Sequence, residues 1–115
     1  MADNVSGAVE LYNNADSIEL PVIVLGEFRF GVAQSRKCDE YETWVLKLIA
    51  VSQVLEINEP TTHYYAKVRA ELKNIGRPIP TNDMWIAALC RQHSVPLLSR
   101  DRHFDAVPGL TRLAW

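Results

Sequence analysis

Pro78-Ile79-Pro80-Thr81-Asn82-Asp83-Met84-Trp85-Ile86-Ala87-Ala88-Leu89-Cys90-Arg91-Gln92-His93-Ser94-Val95-Pro96-Leu97-Leu98-Ser99-Arg100-Asp101-Arg102-His103-Phe104 carries more information than the rest of the chain. Pro78 and Pro80 fix an extended approach. Thr81 is the expected N-cap, and Met84 followed by Ile86 to Cys90 makes a helix that is apolar almost all round and therefore has to be buried. Ser94, Val95 and Pro96 turn the chain into Leu97-Leu98-Ser99, a short apolar run that reads as a buried strand, with a polar loop beginning at Arg100. The unit is helix, turn, strand, loop.

Its two acids, Asp83 and Asp101, fall at corresponding ends. A helix followed by a parallel strand brings the helix N-terminus and the strand C-terminus to one edge of a sheet, where open α/β proteins bind ligands. Two carboxylates at that edge suggest a metal site. Each also has a plain structural reading: Asp83 can offset the helix dipole and Asp101 can cap a turn.

Outward from this stretch, 115 residues that are 48% apolar suffice for one domain with a core, spanning residues 1–115. No apolar run is long enough for a membrane span, and Met1-Ala2-Asp3-Asn4 lacks the basic and apolar parts of a secretory signal, so a cytoplasmic protein is expected. Cys38 and Cys90 have no zinc-type spacing and read as reduced thiols. A net charge of −2 argues against bulk electrostatic capture of nucleic acid. Arg69, Lys73, Arg77, Arg100 and Arg102 can still form a basic rim, or simply a solvated surface.

Upstream, Val5, Ala8, Val9 and Tyr12 repeat at helical spacing over residues 5 to 14, and residues 17 to 20 read as a short strand with Ile18 inward. Pro21 is expected to open a helix that is apolar almost all round and central to the fold. Glu27 interrupts it, projecting from a mostly buried face, and an unpaired buried carboxylate needs a metal, an arginine such as Arg29 or Arg36, or a proton. A third helix is expected over 38 to 52, a strand over Val54-Leu55-Glu56-Ile57, a fourth helix from Pro60 to about Asn74-Ile75-Gly76, and an edge strand within Leu110 to Trp115. His63 and His93 lie on helices without zinc-spaced partners.

Two segments, Ile79 to Ala88 around Asp83 and Leu98 to Phe104 around Asp101 followed by Val107-Pro108-Gly109-Leu110, resemble the C-terminal half of PIN-domain proteins of the VapC toxin type. Leu20-Pro21-Val22-Ile23-Val24-Leu25-Gly26-Glu27-Phe28-Arg29-Phe30-Gly31 is similar to that family's Glu-bearing segment. The resemblance runs from about Ser17 to Leu113. The family's opening strand, which ends in a further Asp, has no counterpart in residues 1 to 16.

The resemblance implies an α/β, PIN-like three-layer fold, with a central mostly parallel sheet flanked by helices and the N-terminal strand missing. It implies a metal-dependent endoribonuclease, the toxin of a toxin–antitoxin pair, in which Glu27, Asp83 and Asp101 hold Mg²⁺ or Mn²⁺. Asn82 and Ser99 would support the acids. Arg100, Arg102 and His103, beside Asp101, are candidates for contact with RNA phosphates. A homodimer and a cognate antitoxin protein are the implied partners, with no membrane. The alternative is an impaired PIN remnant that dimerises or binds an antitoxin without chemistry.

Overall fold

Proline at position 21 cannot donate to a ladder or continue a preceding helix, so it marks the junction of a strand and a helix. It is the last residue of β1 (Ile18–Pro21) and the N-cap of α1 (Val22–Ala33), one residue earlier than its expected place inside the helix. The computed structural model describes residues 18–114 and divides into two compact units, one ending at Leu55 and one beginning at Glu56. The expected helix over residues 5 to 14 and the inward side chain of Ile18 lie outside the described residues and side chains.

In the first unit α1 is followed by α2 (Cys38–Val51) and by β2 (Ser52–Leu55), which returns parallel to β1 with Leu20 opposite Val54. This is the β-crossover-β arrangement that a parallel pair requires. Leu20, Val24, Val32, Val45, Leu48 and Leu55 are buried. Phe28 and Trp44 join the two helices edge to face at 6.0 Å, and Arg29 pairs with Glu42 at 2.7 Å. The expectation that Glu27 projects from a mostly buried face is corrected. Val24, Gly31 and Val32 form the buried side of α1 and Gly26 and Phe30 lie opposite, while Glu27, three residues after Val24 and four before Gly31, flanks the buried stripe and is itself exposed.

The second unit begins with α3 (Glu59–Asn74), whose start is written in its sequence. The Asn58 side chain accepts from the Thr61 N–H while the Thr61 hydroxyl accepts from the Asn58 N–H, a reciprocal cap reinforced by Pro60. Thr61 is fully buried, and its hydroxyl also bonds Gln92 Oε1 at 2.7 Å, tying the start of α3 to the end of the next helix. Asn58→Ala should therefore cost about 1–2 kcal/mol, read as a lowered urea midpoint at unchanged m-value, because it removes the cap and one partner of a buried hydroxyl.

Gly76, at φ 69°, ends that helix region, and α4 (Thr81–His93) follows. Its N-cap is Pro80 and not Thr81, which makes no side-chain capping bond. The extended backbone that proline favours places the Pro80 carbonyl to accept from the Met84 N–H at 3.1 Å. Met84 and Ile86 to Cys90 are buried as their composition demands. Tyr65 stacks on Trp85 at 3.9 Å, and Arg91 pairs with Glu71, so α3 and α4 are fastened along their length. Ser94 turns the chain at φ 54° into β3 (Leu97–Leu98), which pairs parallel with β4 (Arg112–Leu113) across a short 3-10 helix, Arg102–Ala106.

Both ladders among the described residues are parallel, in keeping with the α/β expectation. The strand expected over residues 54 to 57 is shifted to 52–55, leaving Ile57 outside it and exposed.

Candidate functional site

Asp83 enters the site through the burial of its own helix. With Met84 and Ile86 to Cys90 turned inward, the first turn of α4 is held against the second unit's core, and the Asp83 side chain retains only 14% exposure. Asp101 comes from the other direction, in the loop that leaves β3, and is exposed. Burial pushes the Asp83 carboxyl above the usual carboxylate range; His103 opposes that shift and the negative charge of Asp101 adds to it. The charge of Asp101, from the loop after β3, thus reaches Asp83.

The Asp101 loop is closely braced. The Ser99 hydroxyl accepts from the Asp101 N–H at 3.1 Å. Phe104 is buried, and its N–H reaches back to the Asp101 carbonyl at 3.3 Å. His103 lies against Phe104 with ring centroids 4.6 Å apart and places Nε2 2.8 Å from Asp83 Oδ2. At that distance the two pair when the imidazole is protonated, and His103 favours the ionised Asp83 through its charge and a side-chain hydrogen bond. Asn82, Arg100 and Arg102 are exposed around these groups.

Arg112 is a residue the sequence gave no reason to single out. From β4 its Nη1 donates to the Ser99 carbonyl at 3.1 Å, while Nε and Nη2 form a fork on the Asp105 carboxylate at 2.8 and 3.1 Å. One guanidinium thus brackets the segment that carries Asp101 and His103. An isolated arginine near a chain end has no periodicity or motif to mark it.

The Arg112 hydrogen bonds hold the Asp105 carboxyl below its ordinary value. A depressed folded-state pKa contributes stability above the unfolded value, and that contribution is lost as pH falls through the folded one. Arg112→Lys keeps the charge but removes the fork. It should slow any chemistry at the Asp83–Asp101 edge severalfold and flatten the acid limb of the melting-temperature profile below about pH 4.

Glu27 belongs to the first unit and is exposed on α1. Among the described residues no three His, Cys, Asp or Glu side chains stand together as a metal-holding group. Asp83 and Asp101 carry carboxylate oxygens, the ligand type hard cations prefer. One of the two is part-buried and carries a like charge beside it that a bound cation would relieve.

A family model described as "PIN domain" matches residues 2–110, beginning upstream of Ser17. Ribonuclease VapC5 of Mycobacterium tuberculosis is 28% identical over 96 residues, covering 82% of this chain and 71% of its own length. Among solved structures, a VapBC2 complex from Rickettsia felis bound to a DNA fragment from its promoter aligns with TM-score 0.74 and 25% identity. That alignment covers 96% of this chain and 83% of the other. VapBC-5 from Mycobacterium tuberculosis, a member of a family of toxin–antitoxin systems, aligns at TM-score 0.62 and 26% identity over 82% and 77% of the two chains. These alignments place the described α/β elements in a PIN-like fold.

Proposed function

This chain belongs to the PIN-domain family and is of the VapC type, and from that premise we propose that it is a divalent-metal-dependent endoribonuclease acting as the toxin of a toxin–antitoxin pair. The observation that supports the chemistry best is the pairing of Asp83 and Asp101: two carboxylates from distant points of the sequence whose charges interact at the start of a buried helix. Like charges that interact raise the energy of the metal-free protein.

Asp83 and Asp101 would hold Mg²⁺ or Mn²⁺. Glu27 is proposed as the third carboxylate on the strength of its segment, Leu20 to Gly31, alone. A cation held there supplies Lewis acidity at the scissile phosphate and water of lowered pKa, a role that needs no covalent intermediate on the protein. The chain's own residues prepare the place. Ser99 fixes the Asp101 backbone, Arg112 brackets the loop, and exposed Arg100 and Arg102 offer charge to the phosphates of a single-stranded or looped RNA.

The ribonuclease name of the relative and the toxin–antitoxin setting of the structural neighbours support an antitoxin protein as partner. A second copy of the chain is proposed as the other. No helix among the described residues is long and apolar enough to cross a membrane, and a cytoplasmic site of action is proposed.

The test is cleavage of a mixed-sequence single-stranded RNA by the purified chain with Mn²⁺ or Mg²⁺, beside calorimetric titration of the same ions. Cleavage abolished by chelation, with ion binding lost in Asp83→Asn, supports the reading. If there is no cleavage and the titration heats are unchanged by that substitution, the nuclease reading is overturned in favour of an interaction protein without chemistry.

A further inference from the structure

Where α3 meets the start of α4, an aromatic stack stands beside a local excess of positive charge. Tyr65 and Trp85 lie with their rings 14° from parallel and centroids 3.9 Å apart, and both are half-buried, so the pair reaches the surface. Arg69, one turn on from Tyr65, donates from Nη1 to the Tyr65 hydroxyl at 2.8 Å. That bond uses one of the guanidinium's donors and sets the cation at the rim of the stack. Lys73, a further turn on, is exposed on the same flank of α3, and Arg77 is exposed in the link to α4. From Tyr65 to Asn82 the only acid is Glu71, whose carboxylate is taken by Arg91. Glu59, the other acid of α3, is in its first turn. Residues 56–115 hold eight lysines and arginines against six acids, although the whole chain has a formal charge of −2.

Stacked rings beside cations suit single-stranded RNA, in which every base has a π-face and every nucleotide a phosphate. A duplex keeps its bases stacked inside and offers the rings nothing. An acidic peptide would use the cations alone. We propose that Tyr65, Trp85, Arg69 and Lys73 form a second contact for the RNA strand, away from the carboxylate edge, with a base on the exposed part of the stack and phosphates on Arg69 and Lys73. This rests on the nuclease reading for its ligand and extends it to how the strand is held. Trp85 is two residues past Asp83, which at about 100° a residue puts them on nearly opposite flanks of α4. Asn82, exposed, falls between the two, three residues before Trp85 and next to Asp83. A strand leaving the aromatic pair passes over Asn82 to reach the acids, a path of about the 10–12 Å width of a helix.

The direct experiment is fluorescence anisotropy on the full chain in chelator, where no metal-dependent cleavage occurs, with a labelled mixed-sequence single-stranded RNA and with the same strand annealed to its complement. The expected result is preference for the single strand, with quenching of tryptophan fluorescence that is lost in Trp85→Phe. Arg69→Gln combined with Lys73→Gln, both changes at exposed positions, should weaken the single strand at least about tenfold at low salt. The slope of log affinity against log salt should fall by about 0.7 for each charge removed. No binding by the unmodified chain, unchanged affinity in the double variant, or quenching that survives Trp85→Phe overturns the assignment. Poly-glutamate that displaces the labelled strand as well as unlabelled RNA does, at matched charge, would mark the face as one for an acidic peptide and overturn it too. RNA held in this way by a chain that fails to cleave it with Mn²⁺ leaves this contact standing and removes the nuclease reading. Mn²⁺-dependent cleavage by the parent, with the double variant binding RNA as tightly as the parent, does the reverse.

Discussion

Asp83→Asn should lower divalent-ion-dependent RNA cleavage at least about a hundredfold while leaving the protein folded and, without metal, slightly more stable than the parent. The two halves of this expectation have one cause. Burial and the charge of Asp101 both disfavour the ionised Asp83, so its folded pKa lies above the unfolded value. For an acid shifted in that direction the sign is fixed. As pH rises through the unfolded value the denatured chain gives up its proton first, and native stability falls until the folded group has also ionised. At neutral pH the full cost is present, and an uncharged amide of the same shape removes it.

The contact with His103 acts the other way and is the weaker influence on Asp83. Melting temperature measured in chelator across pH 4 to 8 checks the result: the parent should lose stability over the lower part of that range, and the asparagine variant should not. Added Mn²⁺ should then reverse the ranking, because an ion that binds only the native parent stabilises it by mass action. A variant that melts well below the parent in chelator, or that responds to Mn²⁺ as the parent does, would show Asp83 to be a structural group.

The contrast between Asp83 and Glu27 shows what a single sequence can convey. Asp83 was legible because its neighbours Met84 and Ile86 to Cys90 admit one environment only, and a helix so apolar carries its first turn into the core with it. Glu27 sits in an equally apolar run, yet that helix is buried on one side alone, and Phe30 is 58% exposed beside it. Composition says how much of a helix can be buried. The identity of the wet face depends on what packs against it, and for α1 that is decided by α2 through Phe28 and Trp44.

Helix starts divided in the same way. Pro60 marked the start of α3 through its place in the first helical turn, while the Asn58–Thr61 cap and the start at Pro80 emerged only in the structure. The Arg112 bracket and the Asp83–His103 contact were illegible because each joins residues brought together by tertiary structure, with no fixed sequence spacing.

Leu89→Ala should destabilise the protein by about 3–5 kcal/mol, the largest single-residue stability effect expected here. Leu89 is fully buried on α4, so truncating it opens a cavity inside the second unit's core. Tyr65 on Trp85 and Thr61 on Gln92 hold α3 along the same helix, which limits collapse of the backbone into the space. Poor collapse puts the cost toward the upper end of the range for such truncations. Since a domain of this size has about 5–15 kcal/mol in hand, the variant should retain only a small part of it and melt at least about 10 °C lower.

Asp83 lies six residues earlier on the same helix, so the substitution also tests how the site depends on the core. Leu89→Met, which conserves volume, should cost less than about 1.5 kcal/mol and leave ion affinity unchanged. If Leu89→Ala weakens Mn²⁺ binding at a temperature where circular dichroism shows it still folded, the first turn of α4 is held in place by the packing of its middle. Unchanged Mn²⁺ affinity in the folded variant would mean instead that local braces, Pro80 at the helix start and the Arg112-bracketed loop opposite, are sufficient to position the two acids.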